Sequence, residues 1–103
     1  MNSGALMAID IYEGETLRIS VPIRAFERLE PAQSELVKRT GRPVDPYGTT
    51  SLEPEHALLW LAGLRQIRAQ LVRGSPEYDV TEKLIAVLED VNARKRTITI
   101  EGD

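Results

Sequence analysis

Ala57-Leu58-Leu59-Trp60-Leu61-Ala62-Gly63-Leu64 is a run without one polar side chain, and its reading decides the fold. Pro54 stands before it at a position suited to a first helical turn. Apolar residues continue at Ile67 and Leu71, and Gly74 is suited to the place just past a helix end. The spacing predicts a helix over about residues 54–73. Ala57, Trp60, Leu61, Leu64, Ile67 and Leu71 form its main stripe, which Leu58, Ala62, Ala69 and Val72 widen to a second face. A helix apolar on so many sides must be covered on several of them, so this one is expected at the centre of the molecule. The run is far shorter than the roughly 20 residues that span a bilayer, and Arg65 ends it, so no membrane span is expected.

On the N-terminal side, Met7, Ile9 and Ile11 alternate with Ala8, Asp10 and Tyr12, and Leu17, Ile19 and Val21 alternate with Thr16, Arg18 and Ser20. A period of two marks half-buried strands. Glu13-Gly14-Glu15 between them supplies the glycine that a tight hairpin needs, and Pro22 either ends the second strand or lies on a sheet edge. Phe26, Leu29, Leu36 and Val37 then share a helical stripe that Gly41 stops. Pro31 inside it predicts a kink or two short helices. Residues 42–50 read as the main loop, with Asp45-Pro46-Tyr47-Gly48 as a type I turn.

On the C-terminal side, Asp79 with Glu82 three residues on resembles a capping box. Val80, Leu84, Val87, Leu88 and Val91 carry a helix to about Arg94, and Thr97-Ile98-Thr99-Ile100-Glu101 is a β-branched strand. The order implies an α+β fold: an N-terminal hairpin and a C-terminal strand in a small antiparallel sheet, packed against about three helices, with the Pro54 helix across one face. Residues 7–103 are expected to form one domain. Met7-Ala8 offers a second start, so residues 1–6 are expected to be a flexible extension. They carry no signal-peptide pattern, which makes a cytoplasmic location the expectation.

The chain has 103 residues, 42% hydrophobic and 28% charged, with a net charge of -3 and no cysteine. Thiol catalysis, disulfide scaffolds and thiolate metal sites are thereby excluded. The seven glycines are scattered rather than gathered before a helix, so no phosphate loop exists. Basic residues gather at Lys38, Arg39 and Arg42, at Arg65, Arg68 and Arg73, and at Arg94-Lys95-Arg96, but in an acidic chain they are expected to serve helix ends rather than nucleic acid. His56, the one histidine, lies between Glu53 and Glu55. A base with a carboxylate orienter is one reading, but acids in a first helical turn also answer the helix dipole, and the spacing of a metal site is missing. No enzyme activity, cofactor or metal is expected.

What remains is a surface for another protein. Tyr12, Tyr47 and Tyr78 fall near element ends with acidic neighbours, and tyrosine offers large contact area with few rotors. Glu13 and Glu15 at the hairpin turn, with Asp45, Tyr47, Glu53 and Glu55 around the main loop, are the candidate partner-binding residues. Leu58 to Leu71, with its Gly-Leu-Arg-Gln-Ile-Arg core, and the closing strand and acidic tail from Thr97 to Asp103 are similar in style to the small cytoplasmic immunity proteins of bacteria. That resemblance implies a non-enzymatic inhibitor that occludes a cognate toxin or effector. The alternative is a self-associating module, such as a phage or secretion-system component, in which a homodimer completes the burial of the Trp60 helix.

Overall fold

A computed structural model describes residues 8–41 and 48–102. The elements run β1 (Ala8–Glu13), β2 (Thr16–Pro22), α1 (Ile23–Arg28), α2 (Glu30–Thr40), β3 (Thr49–Leu52), α3 (Pro54–Arg68), α4 (Pro76–Ala93) and β4 (Ile98–Glu101). The four strands form one antiparallel sheet in the order β2-β1-β4-β3, so the chain's last strand returns beside its first, and the α+β architecture holds.

The strand pattern produces two unlike faces. Ile9, Ile11, Val21, Leu52, Ile98 and Ile100 point to one side and join the core with Phe26, Leu36, Trp60, Leu64, Leu84 and Leu88 from the helices. Asp10, Tyr12, Leu17, Ser20, Ser51 and Thr99 lie on the other side, where each is exposed or half-buried. The helices therefore cover a single face. Gly14 turns β1 into β2 at φ +61° with an ordinary φ at Glu15, the pattern of a type II′ hairpin turn.

One inward expectation fails in β2. Ile11 opposes Ile19 but Tyr12 opposes Leu17, so Arg18 is the extra residue of a β-bulge. The bulge turns Leu17 to the solvent side, 50% exposed, and lets Arg18 reach the helical layer as Ile19 does.

The helices follow the sequence reading at Pro31 and Gly41 and depart from it further along the chain. The stripe over residues 23–40 divides at Leu29 into α1 and α2, with Pro31 in the first turn of α2 and Gly41 ending it in the left-handed region at φ +72°. The Pro54 helix stops at Arg68, five residues early. Gln70 and Leu71 donate to carbonyls only three residues back, and the chain then reverses so that Arg65 and Arg68 pair with Glu89 and Glu82 on an antiparallel α4. Gly74, at φ +85°, serves that reversal and not a helix cap. α4 begins at Pro76, not Asp79: Ser75 Oγ accepts from the Tyr78 amide at 3.2 Å, and proline is pre-shaped for the first helical position. Thr49–Leu52, read as loop and helix approach, is a strand because β4 supplies its hydrogen-bonding partner.

The apolar run is one-sided as well. Ala57, Trp60, Leu61 and Leu64 are buried, whereas Leu58, Ala62, Ala69 and Val72 are exposed, so the second face is not covered. Trp60 is fully buried within the chain. Its ring meets Phe26 edge-on at 6.3 Å, and its Nε1–H donates to Gln33 Oε1 at 3.1 Å while Gln33 Nε2 donates to the Phe26 carbonyl. Gly63 lets α2 approach closely, since a Cβ there would stand 3.1 Å from the Ala32 Cβ. The expected extension at residues 1–6 lies outside the described residues.

Candidate functional site

The sheet register gathers three connections at one end of the molecule. Glu13, Ile98 and Leu52 lie in a row across β1, β4 and β3. The residues just beyond them therefore sit side by side: the Gly14-Glu15 turn, the α4–β4 connection Arg94–Thr97, and the Glu53-Pro54 start of α3. At about 4.8 Å per strand, the hairpin turn and the α3 start are roughly 10 Å apart. Glu15, Glu53 and Glu55 are exposed at this end. Asp45 and Tyr47 lie outside the described residues. The chain from Gly48 to Glu53 is not one loop, because β3 intervenes, and Gly48 belongs to the opposite sheet end, where its carbonyl accepts from the Gly102 amide at 2.8 Å.

Glu13 differs from its expected role. It continues the inward series Ile9, Ile11, and its side chain is only 9% exposed. Arg94 grips both carboxylate oxygens, Nη2 donating to Oε1 at 2.7 Å and Nη1 to Oε2. Arg18 Nη1 donates to Oε1 at 2.5 Å, and Arg96 Nε lies 3.8 Å from Oε2. Asp90 completes the cluster by accepting from Arg18 at 2.8 Å and Arg94 at 2.9 Å. Hydrogen bonding from Arg94, more than that from Arg18, lowers the Glu13 carboxyl to about 2 against the opposing effect of burial, and the same contacts hold the Arg94 guanidinium above its ordinary value. Asp90 is lowered by the same two arginines, Arg94 first. The cluster joins β1, β2, the end of α4 and the α4–β4 connection. Glu13 is thus a structural centre, and the signal for it was its inward place in the β1 alternation.

Beside this cluster, between the start of α3 and the end of α4, lies a cleft of about 280 Å³ lined by Pro54, Glu55, Leu58, Asn92 and Lys95. Leu58 is 48% exposed at it. Sequence reasoning named Glu55 but missed Asn92 and Lys95, which sit 37 and 40 residues later and share a surface with Glu55 only because α3 and α4 are antiparallel. A larger groove of about 470 Å³ between α2 and α3, lined by Arg28, Pro31 and Glu35 opposite Gln66, Ile67 and Gln70, contains none of the expected site residues.

His56 Nδ1 is buried without a hydrogen-bond partner, so neither flanking glutamate orients the ring through that atom. Among the described residues, no group of three or more His, Cys, Asp or Glu side chains is placed to hold a metal ion, and no helix is long and apolar enough to cross a membrane. Arg39, Arg65, Arg68 and Arg94 from the basic groups are each paired with an acid. Tyr12 is half-buried on the open sheet face, and Tyr78 is half-buried in the first turn of α4. Compared with known proteins, the chain matches no family model, no curated sequence and no solved structure.

Proposed function

We propose that this chain is a non-enzymatic protein-recognition domain, acting in the cytoplasm as an immunity-type inhibitor that seats a cognate toxin or effector on the end carrying Glu15, Glu53 and Glu55. The observation that carries this reading is the Glu13-centred cluster, which ties four segments together directly beneath that end. A surface held in one shape before binding loses little conformational freedom on association, and exposed acids around it speed the approach of a basic partner. The pairing of Arg39, Arg65, Arg68 and Arg94 with acids favours a protein partner over nucleic acid. His56, with no orienter on Nδ1, is poorly placed as a general base. The Trp60 side of α3 is covered inside the chain, so a two-fold contact of the assembly alternative would use the exposed Leu58 and Ala62 side of that helix.

Affinity capture from the native host tests the reading. The wild-type chain is expected to retain one dominant protein, the combined Glu15→Lys, Glu53→Lys and Glu55→Lys variant to lose it, and a Glu27→Lys control on exposed α1 surface to keep it. Capture of no protein by the wild type, or equal capture by the triple variant, overturns the assignment. A stable homo-oligomer in sedimentation, unaffected by the triple variant, transfers support to the assembly alternative.

A further inference from the structure

The helices cover one face of the sheet, and the strand register fixes what the other face carries. Across that open face Leu17, Tyr12, Thr99 and Ser51 form one row, and Ser20, Asp10, Glu101 and Thr49 form the next. Leu17 is 50% exposed and lies directly opposite the half-buried Tyr12, so the first row presents an aliphatic and an aromatic side chain to water. The two rows are about 7 Å apart along each strand, close enough for one occupant to cover both.

The second row is set apart by its charge. Asp10 and Glu101 are partners on adjacent strands, and like charges directly opposite each other destabilise a sheet. Among the described residues, Asp10 accepts from the Ser20 hydroxyl at 2.6 Å, a neutral donor, and the Glu101 side chain has no hydrogen bond or ion pair. The one basic residue of the four strands, Arg18, is turned to the helical layer, where it serves Glu13 and Asp90. Glu82, Glu89 and Asp90 in α4 each face an arginine, whereas the open face keeps negative charge that the fold does not neutralise, beside apolar area that it does not cover.

That combination selects among occupants. A second copy of this face would add two more carboxylates to two that already repel, and nucleic acid or an anionic lipid surface would meet the same repulsion. A cationic side chain of another protein instead relieves the opposition of Asp10 and Glu101, while apolar neighbours of that cation cover Leu17 and Tyr12. We propose that the open face of the sheet docks a segment of a protein partner in which basic side chains stand beside apolar ones, the basic over Asp10 and Glu101 and the apolar over Tyr12 and Leu17. The Tyr12–Thr99–Ser51 row lies one residue in from Glu13, Ile98 and Leu52, so this inference rests on the recognition reading and extends the partner's contact from that end onto the sheet.

The test titrates the full chain at low ionic strength with the peptide acetyl-Leu-Arg-Val-Arg-Leu-amide, and with counterparts that carry glutamine or glutamate in place of both arginines, read by NMR. Saturable shifts at Asp10, Tyr12, Thr99, Glu101 and the Leu17 methyls are expected with the arginine peptide, weaker ones with the glutamine peptide and none with the glutamate peptide. Glu101→Lys should weaken binding of the arginine peptide by roughly three- to tenfold, an exposed attraction replaced by a repulsion. Leu17→Thr should weaken it by about threefold through lost apolar contact, and Glu27→Lys on exposed α1 surface should leave it unchanged. Because Glu101→Lys also removes the like-charge pair, its melting temperature should stand at or above that of the wild type, which separates lost docking from lost folding. Equal or tighter binding of either counterpart, shifts confined to another surface, no saturable shift, or undiminished binding by Glu101→Lys overturns the inference. Shifts of the same residues with protein concentration alone assign the face to a second copy and overturn it too. If the host partner is still captured after such a failure, the recognition reading survives; if the peptide binds this face and no partner is captured, the recognition reading fails alone.

Discussion

The last turn of α4 has two sides that treat polar groups in opposite ways. Asp90 and Arg94, four residues apart, face the hairpin and close a cluster around Glu13, while Asn92 and Lys95 line the cleft at the start of α3 and their side chains make no hydrogen bond or ion pair within the protein. The difference is one of burial and partnership. Glu13 occupies an inward strand position, where an unpaired carboxylate would be costly, so three arginines are gathered around it. On the cleft side Glu55 and Lys95 are exposed and need no internal partner to be tolerated, whereas Asn92 Oδ1 is buried and unsatisfied. Stability therefore resides on the Glu13 side of the turn.

Substitutions can break or sharpen that contrast. The largest effect is expected from Glu13→Gln, which leaves Arg18, Arg94 and Arg96 converging on a neutral group; its melting temperature should fall further than that of any other variant considered below. The same variant should change the acid profile. A carboxyl whose folded value is lowered to about 2 from an ordinary value of 4.5 contributes stability that is fully present above about pH 4.5 and lost as the pH falls toward 2. Wild-type melting points should decline through that window, and the Glu13→Gln chain should show a flatter decline over it. An unchanged slope would remove Glu13 from its place at the centre of the cluster.

Gln33→Leu comes next. It leaves the Trp60 N–H and the Phe26 carbonyl without their buried partner, and denaturant unfolding should register a loss of about 2 kcal/mol. This neutral pair calibrates what a satisfied buried group contributes without net charge. On the cleft side the changes should be small. Lys95→Gly relieves a left-handed backbone and is expected to raise stability by about 0.5 kcal/mol, after the greater unfolded-state freedom of glycine is subtracted. Glu55→Gln, with no partner to lose, should stay within about 0.5 kcal/mol of wild type. A marked loss at either cleft residue would mean that the two sides of the turn are not distinct in kind.

The strands at both ends of the chain, the hairpin at Gly14, the break near Pro31, the stop at Gly41 and the buried stripe through Trp60 were legible in the sequence. Each depends on local periodicity or on the backbone freedom of one residue. Ile9 and Ile11 alternate because a strand has two faces, and Pro31 interrupts a helix because its ring opposes the preceding turn. The site was legible only in fragments. Glu15, Glu53 and Glu55 could be named as exposed acids near turns, but not that they share one end.

Tertiary structure decided the rest. Thr49–Leu52 has one apolar residue and becomes a strand because β4 lies beside it. Arg18 reaches Glu13 and Asp90 because a bulge opposite Tyr12 offsets the alternation of β2. Glu13 became the centre of a charge cluster because Arg94 and Arg96, more than 80 residues away, return to it on the chain's last connection. Local pattern sets which way a side chain points along its own element, through the 2.0 and 3.6 residue periods. What it points at is set by elements distant in sequence, and that choice determined which charges were consumed by the fold and which were left exposed.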